Sequence, residues 1–365
     1  MTEAQFENYL TTGVQNVVKD LLKASLFHPA ESAFMLRFAA AAKHADTVRH
    51  SFEQQGEHIP PFLIASITSI CNLHCAGCYA RSLDSCTDDS PVQQLSAEQW
   101  GTIFKEAREL GISFILLAGG EPMVRSDVIE EAANYPEILF PIFTNGTLID
   151  DSQFTFMDKH RNLIPIFSVE GGQTATDARR GQGIFDRVHS TMQKMQSQRL
   201  VFGASVTVTT ENLHEVTSDE FIKTLTDSGC KLIFYIEYVP TAHDSGSLAL
   251  NDKLRDQLAD RVDQLRATND SAIFISFPGD EKLSDGCLAA GRGFFHINSH
   301  GGAEPCPFSP YSDTNVIDTS LREALKSKLF NSIRSGDILL DEHDGGCVLF
   351  QKREEVEKLL SMSNN

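Results

Sequence analysis

Cys71, Cys75 and Cys78 stand within eight consecutive positions, spaced Cys-x3-Cys-x2-Cys. One short loop can close such a triplet around a single inorganic site. Thiolates suit soft metals, and iron–sulfur clusters are held by thiolates at short spacings of this kind. Three ligands leave one iron of a cubane open to something that is not protein. A structural zinc site is the plainer alternative, but zinc asks for four protein ligands in paired spacings. Cys86 is the one nearby residue able to complete such a set. The triplet directly follows an apolar, strand-like run from Pro61 to Ile70.

Gly119-Gly120-Glu121-Pro122 follows a second apolar run, Phe114 to Ala118, so its backbone groups are presented at a strand's C-terminal end. The two motifs, in this order and separation and with the aromatic Tyr79 beside the last cysteine, resemble the radical S-adenosylmethionine (radical SAM) superfamily. The resemblance covers residues 60–240 as a core and extends, less completely, over 271–350. It implies a 4Fe-4S cluster on Cys71, Cys75 and Cys78, with the open iron chelated by the amino and carboxylate groups of S-adenosylmethionine. In the family one electron splits a carbon–sulfur bond, leaving methionine and a 5′-deoxyadenosyl radical that abstracts a substrate hydrogen. By the same resemblance, backbone atoms of Gly119 and Gly120, with Glu121, hold the methionine amino group. A reductant such as flavodoxin or ferredoxin and anaerobic handling are implied as well.

The elements that must position these groups follow from periodicity. Two amphipathic helices come first, one carrying Phe6, Leu10, Val14, Val17 and Leu21, the other Phe34, Phe38, Ala42 and Phe52; His28-Pro29 separates them. They are expected to cap the core. From Pro61 apolar strands alternate with helices: 112–118, 139–143, 164–169, 201–208 and 231–239 follow the first. Ser96 with Gln99 reads as a capping box for a helix that Gly111 ends. Near-continuous apolar strands between helices indicate a parallel sheet buried on both faces. Six such units fit the family's fold, an α/β partial (β/α)6 TIM-like barrel, with functional residues at the strands' C-terminal ends. The expected division is a helical segment 1–59, a core 60–270 and a small α+β extension 271–365.

The polar residues at those strand ends are the further candidates. Thr144 and Asn145 stand where the family's third strand approaches the cofactor; Asn145 could equally be a turn residue ahead of Gly146. Ser168 and Glu170 end the fourth strand, where the family contacts the ribose, and a carboxylate can accept from two hydroxyls. Glu170 could also be an exposed strand-end acid. Arg180 could pair the methionine carboxylate or the ribose edge, or be half of a solvated arginine pair. Ser205 and Thr207 share one face of the fifth strand and could line an adenosyl pocket, where Gly203 matches the family's adenine motif in part. Glu237 is a charge inside the apolar run Phe234 to Val239, costly unless paired or in a cavity. It points at substrate as a catalytic group or satisfies a neighbouring loop.

Beyond residue 271, Cys287, Cys306 and Cys347 surround glycine-rich stretches that read as a hairpin turning on Ser299 to Gly302. This is similar to the SPASM and twitch extensions of radical SAM enzymes. Three cysteines rather than about seven imply one auxiliary cluster of the shorter kind. Its fourth ligand could be Cys86, Cys230, His296, His343 or the substrate. The alternative is three buried cysteines acting as small hydrophobes, the reading favoured for Cys230.

Fifty acidic against 31 basic residues give a net charge of −19, which argues against a nucleic-acid surface or an anionic membrane surface. No apolar run approaches bilayer-spanning length, and the first residues lack a signal peptide's basic start, so a cytoplasmic location with reduced thiols is expected. Nothing resembles a cobalamin-binding motif or a leader-peptide recognition domain. The first absence argues against the cobalamin-dependent methyltransferase branch and the second weakens a peptide substrate; the twitch-like extension itself implies peptide or protein maturation or a small-molecule cofactor or sugar precursor. A non-catalytic iron–sulfur electron carrier or a zinc-stabilised interaction module is the competing class, and neither needs an adenosyl pocket.

Overall fold

The computed structural model describes residues 3–25, 29–89, 92–241, 246–277, 286–340 and 347–363. One open sheet of nine strands organises them, in the order β7-β6-β5-β4-β3-β2-β1-β8-β9. The strands are β1 (Phe62–Thr68), β2 (Phe114–Gly119), β3 (Phe140–Thr144), β4 (Leu163–Val169), β5 (Gly203–Val208), β6 (Leu232–Glu237), β7 (Ile273–Phe277), β8 (Phe294–Ile297) and β9 (Ala303–Glu304). All neighbours pair in parallel except β8 and β9, which form the expected antiparallel hairpin. The α/β partial barrel is thus the fold.

Period-two alternation gives the sheet two buried faces. One face, with Leu63, Ala65, Ile115, Leu117, Ile142, Phe167, Ala204 and Ile233, packs under helices such as Ala97–Leu110, whose Trp100, Ile103, Phe104 and Ala107 are buried against it. That helix starts on the Ser96–Gln99 capping box and stops at Gly111 in the left-handed region, as expected. The other face, with Phe114, Ile164, Ile166, Leu232 and Phe234, is covered near the strands' N-terminal ends by α1 (Glu3–Ser25) and α2 (Pro29–Glu53). The two helices floor the barrel from inside rather than sitting over its outside.

The strand Ile273–Phe277, expected with the extension, instead hydrogen-bonds along β6 and lengthens the core sheet. β8 extends the same sheet on the opposite side by pairing with β1, Phe62 opposite Phe294 and Ala65 opposite Ile297. The extension is therefore built onto the strand that delivers the Cys71 loop. It is tied down again at Leu321, whose N–H donates to Glu106 at 2.8 Å, and at Arg322, which pairs with Glu57 at 2.7 Å.

Candidate active site at the strand C-terminal ends

β1 ends at Thr68 and the chain turns into the cysteine loop. Two glycines allow this loop to sit directly on the end of β2. A Cβ on Gly119, whose φ is +116°, would lie 2.2 Å from the Thr68 carbonyl oxygen, and one on Gly120 would lie 2.1 Å from that of Ile70. The Gly120 and Glu121 amides donate to these carbonyls at 2.8 and 2.9 Å. With those N–H groups committed, the carbonyl oxygens are what this turn can offer an ammonium group.

Further side chains fix the loop. Arg81 donates to the Leu73 carbonyl at 3.0 Å and to that of Cys71 at 3.3 Å. Asn72 accepts from Asn145 at 2.9 Å and donates to Thr147 at 2.9 Å, linking the loop to the end of β3. The Ala76 amide donates to the Arg179 carbonyl at 2.8 Å. Cys71, Cys75 and Cys78 are all partly exposed, whereas the other five cysteines are buried. The Leu73 amide points at the Cys71 sulfur from 3.5 Å.

The loop opens onto a cavity of about 1100 Å³ that runs along the inner face of the sheet to α1. Of the expected residues, Tyr79, Gly119, Gly120, Glu121, Asn145, Ser168, Arg180, Ser205, Thr207 and Glu237 line it. Ser168 and Ser205 are cross-strand neighbours, and Thr207 stands two residues further along β5.

Several assignments need correction. Thr144 is not on the cavity wall: its hydroxyl donates to Glu121 at 2.6 Å and accepts from the Gly146 amide at 3.0 Å. Pro122 is buried at the start of a single 3-10 turn that Glu121 caps. Glu121 itself accepts from Met123 N at 3.0 Å, from Thr144 and from Asn145 N at 2.8 Å, so its carboxylate bolts β3 to β2. Burial outweighs these donors and pushes its pKa up to about 7. Glu170 does not face the cavity either. It is gripped by Arg180, by Arg179 at 2.9 Å and by the Thr207 amide at 3.2 Å, so it positions the arginines instead of meeting ribose hydroxyls directly. Arg180 is accordingly no solvated side chain; its side chain is 11% exposed and its NH1 reaches 3.9 Å from the Cys75 sulfur. Glu237 is taken by Arg255 of the helix Asp252–Thr268 at 3.0 Å, an ion pair buried on both sides. That pairing satisfies the charge and removes the reason to make it a catalytic group.

Sequence reasoning missed the α1 residues Tyr9 and Asn16 on the cavity wall and Asn72, which ties the loop to β3, and it read Arg179 only as a solvated partner of Arg180. Asn72 carried a signal, lying between two motif cysteines; α1 carried none, because an apolar stripe does not say what it covers.

In the extension, Cys287, Cys306 and Cys347 come together. The Cys306 thiol hydrogen-bonds that of Cys347 with Cys287 near enough to act on its charge, and burial is the main cause of its raised pKa. Tyr79 stands between the two cysteine groups: its ring packs on Phe308 at 4.7 Å, and its hydroxyl is held protonated first by burial and then by Cys78 and Cys306. His296 is not free to be a ligand, because its two ring nitrogens contact Glu304 and Ser66, each at 2.7 Å. Cys230 donates to the Leu232 carbonyl at 3.2 Å in full burial, away from both groups. Cys86 belongs to the first group, in contact with Cys71. His343 lies outside the described residues.

The Radical SAM superfamily model matches residues 65–227, the span from the middle of β1 to the helix before β6. The chain is a radical SAM enzyme. Enzymes of this superfamily use a 4Fe-4S cluster and S-adenosylmethionine. An AdoMet-dependent heme synthase of Methanosarcina barkeri is 24% identical over 306 residues, 76% of this chain and 86% of that protein. The mycofactocin maturase MftC of Mycolicibacterium smegmatis is 27% identical over 278 residues, 70% of this chain and 66% of its own. In fold, Streptococcus suis SuiB bound to its precursor peptide SuiA superposes with a TM-score of 0.65 at 18% identity, over 87% of this chain and 76% of that one. In this radical SAM enzyme the residues after β7 rejoin the core sheet through β8, which pairs with β1. Among the described residues no helix is long and apolar enough to cross a membrane.

Proposed function

We propose that this radical SAM enzyme binds its 4Fe-4S cluster through Cys71, Cys75 and Cys78 and S-adenosylmethionine over the adjoining strand ends. It then abstracts hydrogen from a substrate held in the cavity. The donor set fits: three thiols on one tethered loop, facing a cavity, beside carbonyls that can accept from an ammonium. When bound, the cluster supplies the electron that splits the carbon–sulfur bond of S-adenosylmethionine.

The protein's part is positioning. The Gly119-Gly120 turn offers carbonyls to the methionine amino group. Arg180, oriented by Glu170, offers its guanidinium to the carboxylate. Ser168, Ser205 and Thr207 offer hydroxyls to the ribose and adenine edge. Asn145 braces the loop through Asn72. Cys287, Cys306 and Cys347 are the ligands of one auxiliary cluster, with Tyr79 between the two sites. A flavodoxin or ferredoxin of a reducing, cytoplasmic compartment supplies electrons.

Below these groups the cavity wall is apolar, with Ile64, Leu116, Phe143, Phe234 and Ile236, and α1 closes its far end. A chamber of this shape suits a bulky, mainly apolar group: a cofactor precursor, or one side chain of a peptide. The relatives' names cover both, a heme synthase and a mycofactocin maturase.

The observation that carries the reading is the seating of the cysteine loop on Gly119 and Gly120 at the cavity mouth. Anaerobic reconstitution, dithionite and S-adenosylmethionine test it: 5′-deoxyadenosine is expected, and its absence with a reducible cluster present rejects the enzyme reading. Iron counts test the second site. After Cys71, Cys75 and Cys78 are all changed to Ala, about four irons should remain if the extension holds a cubane; none remaining rejects it.

A further inference from the structure

Cys86 has no role in the reaction as derived so far. After the short helix Tyr79–Ser82 the chain doubles back along the start of the cysteine loop. The Cys86 amide donates to the Ala80 carbonyl and the Thr87 amide to that of Ser69, both at 2.9 Å, and Thr87 bridges to Ile70. This geometry brings residue 86 against residue 71. The Cys86 residue is 3% exposed, and its thiol hydrogen-bonds the Cys71 sulfur.

Two roles present themselves for a thiol so placed. As a fourth ligand it would have to reach the corner that three cysteines leave open. That corner faces the cavity, whose wall includes Cys71, Cys75 and Cys78 but not Cys86. Two sulfurs in mutual contact would also compete for one iron. As a hydrogen-bond donor it needs no movement. A metal-bound thiolate can only accept, so the S–H must be the donor. Reduction adds negative charge to a cluster and its sulfurs, and hydrogen bonds to those sulfurs favour the more negative state.

We propose that Cys86 is a positioning residue whose S–H donates to the Cys71 sulfur and raises the reduction potential of the cluster on Cys71, Cys75 and Cys78. The proposal rests on the cluster reading above. Cys86 acts together with the Leu73 amide, which approaches the same sulfur at 3.5 Å. The bland alternative is a small hydrophobe filling a gap, which alanine would replace with no effect on the potential.

The test is a redox titration of the reconstituted full chain followed by electron paramagnetic resonance. Wild type, Cys86→Ala and Cys86→Ser are compared, with iron counted in each. The signal that changes on adding S-adenosylmethionine identifies the relevant cluster. Both variants should keep wild-type iron; the midpoint potential should fall in Cys86→Ala and return most of the way in Cys86→Ser, whose hydroxyl can donate. Equal potentials in wild type and Cys86→Ala overturn the proposal. So does loss of iron in Cys86→Ala matching that of Cys71→Ala, which would make Cys86 a ligand. Should the alanine variant fail to fold, Cys86→Val takes its place as a side chain of similar bulk with no donor: a lowered potential with iron kept supports the proposal, and a wild-type potential, or iron lost as in Cys71→Ala, overturns it. A wild type with no responsive signal overturns the cluster reading itself, a different outcome from an unmoved potential.

Discussion

His296 and Ser66 share a 2.7 Å hydrogen bond although 230 positions separate them in the chain. The other ring nitrogen meets Glu304, also at 2.7 Å. A carboxylate only accepts, so Nδ1 donates to Glu304, while Nε2 and the Ser66 hydroxyl share the second hydrogen bond. Ser66 lies on β1, which leads to the Cys71 loop, and Glu304 stands two residues before Cys306. One imidazole thus joins the scaffolds of both cysteine groups.

His296→Ala should therefore do more than remove a ring. It leaves Glu304 and Ser66 with a lost partner in a buried place, at about 1–3 kcal/mol for each unsatisfied group. A lower midpoint of thermal unfolding is expected, with iron lost from the extension before the core. Calorimetry with iron counting checks it; wild-type stability would show that the chain of hydrogen bonds carries no load.

Gly120→Ala makes a sharper demand on the loop. The new methyl would lie 2.1 Å from the Ile70 carbonyl oxygen, which is backbone and cannot swing aside. Either β2 or the loop must shift, and overpacking of this kind costs about 1–3 kcal/mol or more. The variant should fold, by far-ultraviolet circular dichroism, yet lose most of the iron held by Cys71, Cys75 and Cys78. Full iron occupancy would mean that the loop has slack the contact distances do not show.

These contacts explain what could be read beforehand and what could not. Strands buried on both faces betray themselves as unbroken apolar runs, so β1 to β6 and their polar ends were legible. Pairings were not. Glu170 and Arg180 each looked available for a cofactor, because nothing in the residues says that the helix Gln173–Arg180 folds back to set one on the other. Glu237 and Arg255 were hidden alike, on a strand and a helix joined by a long connection. The stripes of α1 and α2 showed that something is covered but not that it is the floor of the barrel. β7 looked like part of the extension because its edge pairing with β6 leaves no trace in sequence.

Glu170→Ala removes the ion-pair partner of Arg179 and Arg180 and the acceptor of the Thr207 amide together. Both guanidinium groups are mostly buried, and an uncompensated buried charge costs about 3–5 kcal/mol. A loss of that order is expected in denaturant unfolding. Arg180→Lys, by contrast, keeps a charge but not the two-pronged grip, so stability should fall less while the KM for S-adenosylmethionine rises. An unchanged KM in Arg180→Lys would take Arg180 out of the cofactor site.

Glu121 gives the protein a pH dependence of unusual sign. Its carboxyl titrates at about 7 in the fold against 4.5 ordinarily, chiefly because it is buried. Between those values the folded chain holds a proton that the unfolded chain has released, so this residue's contribution is full below pH 4.5. It is lost as pH rises towards 7 and beyond, by about 3 kcal/mol in all. Glu57, whose pKa the Arg322 hydrogen bond lowers to about 2, slopes the other way but only in more acidic solution, so the two windows do not overlap. Glu121→Gln cannot ionise. The stability difference between wild type and Glu121→Gln, measured by urea unfolding from pH 4.5 to 7.5, should drift against wild type as pH increases. Parallel curves across that range would mean that Met123, Thr144 and Asn145, the three donors on the carboxylate, hold it ionised throughout.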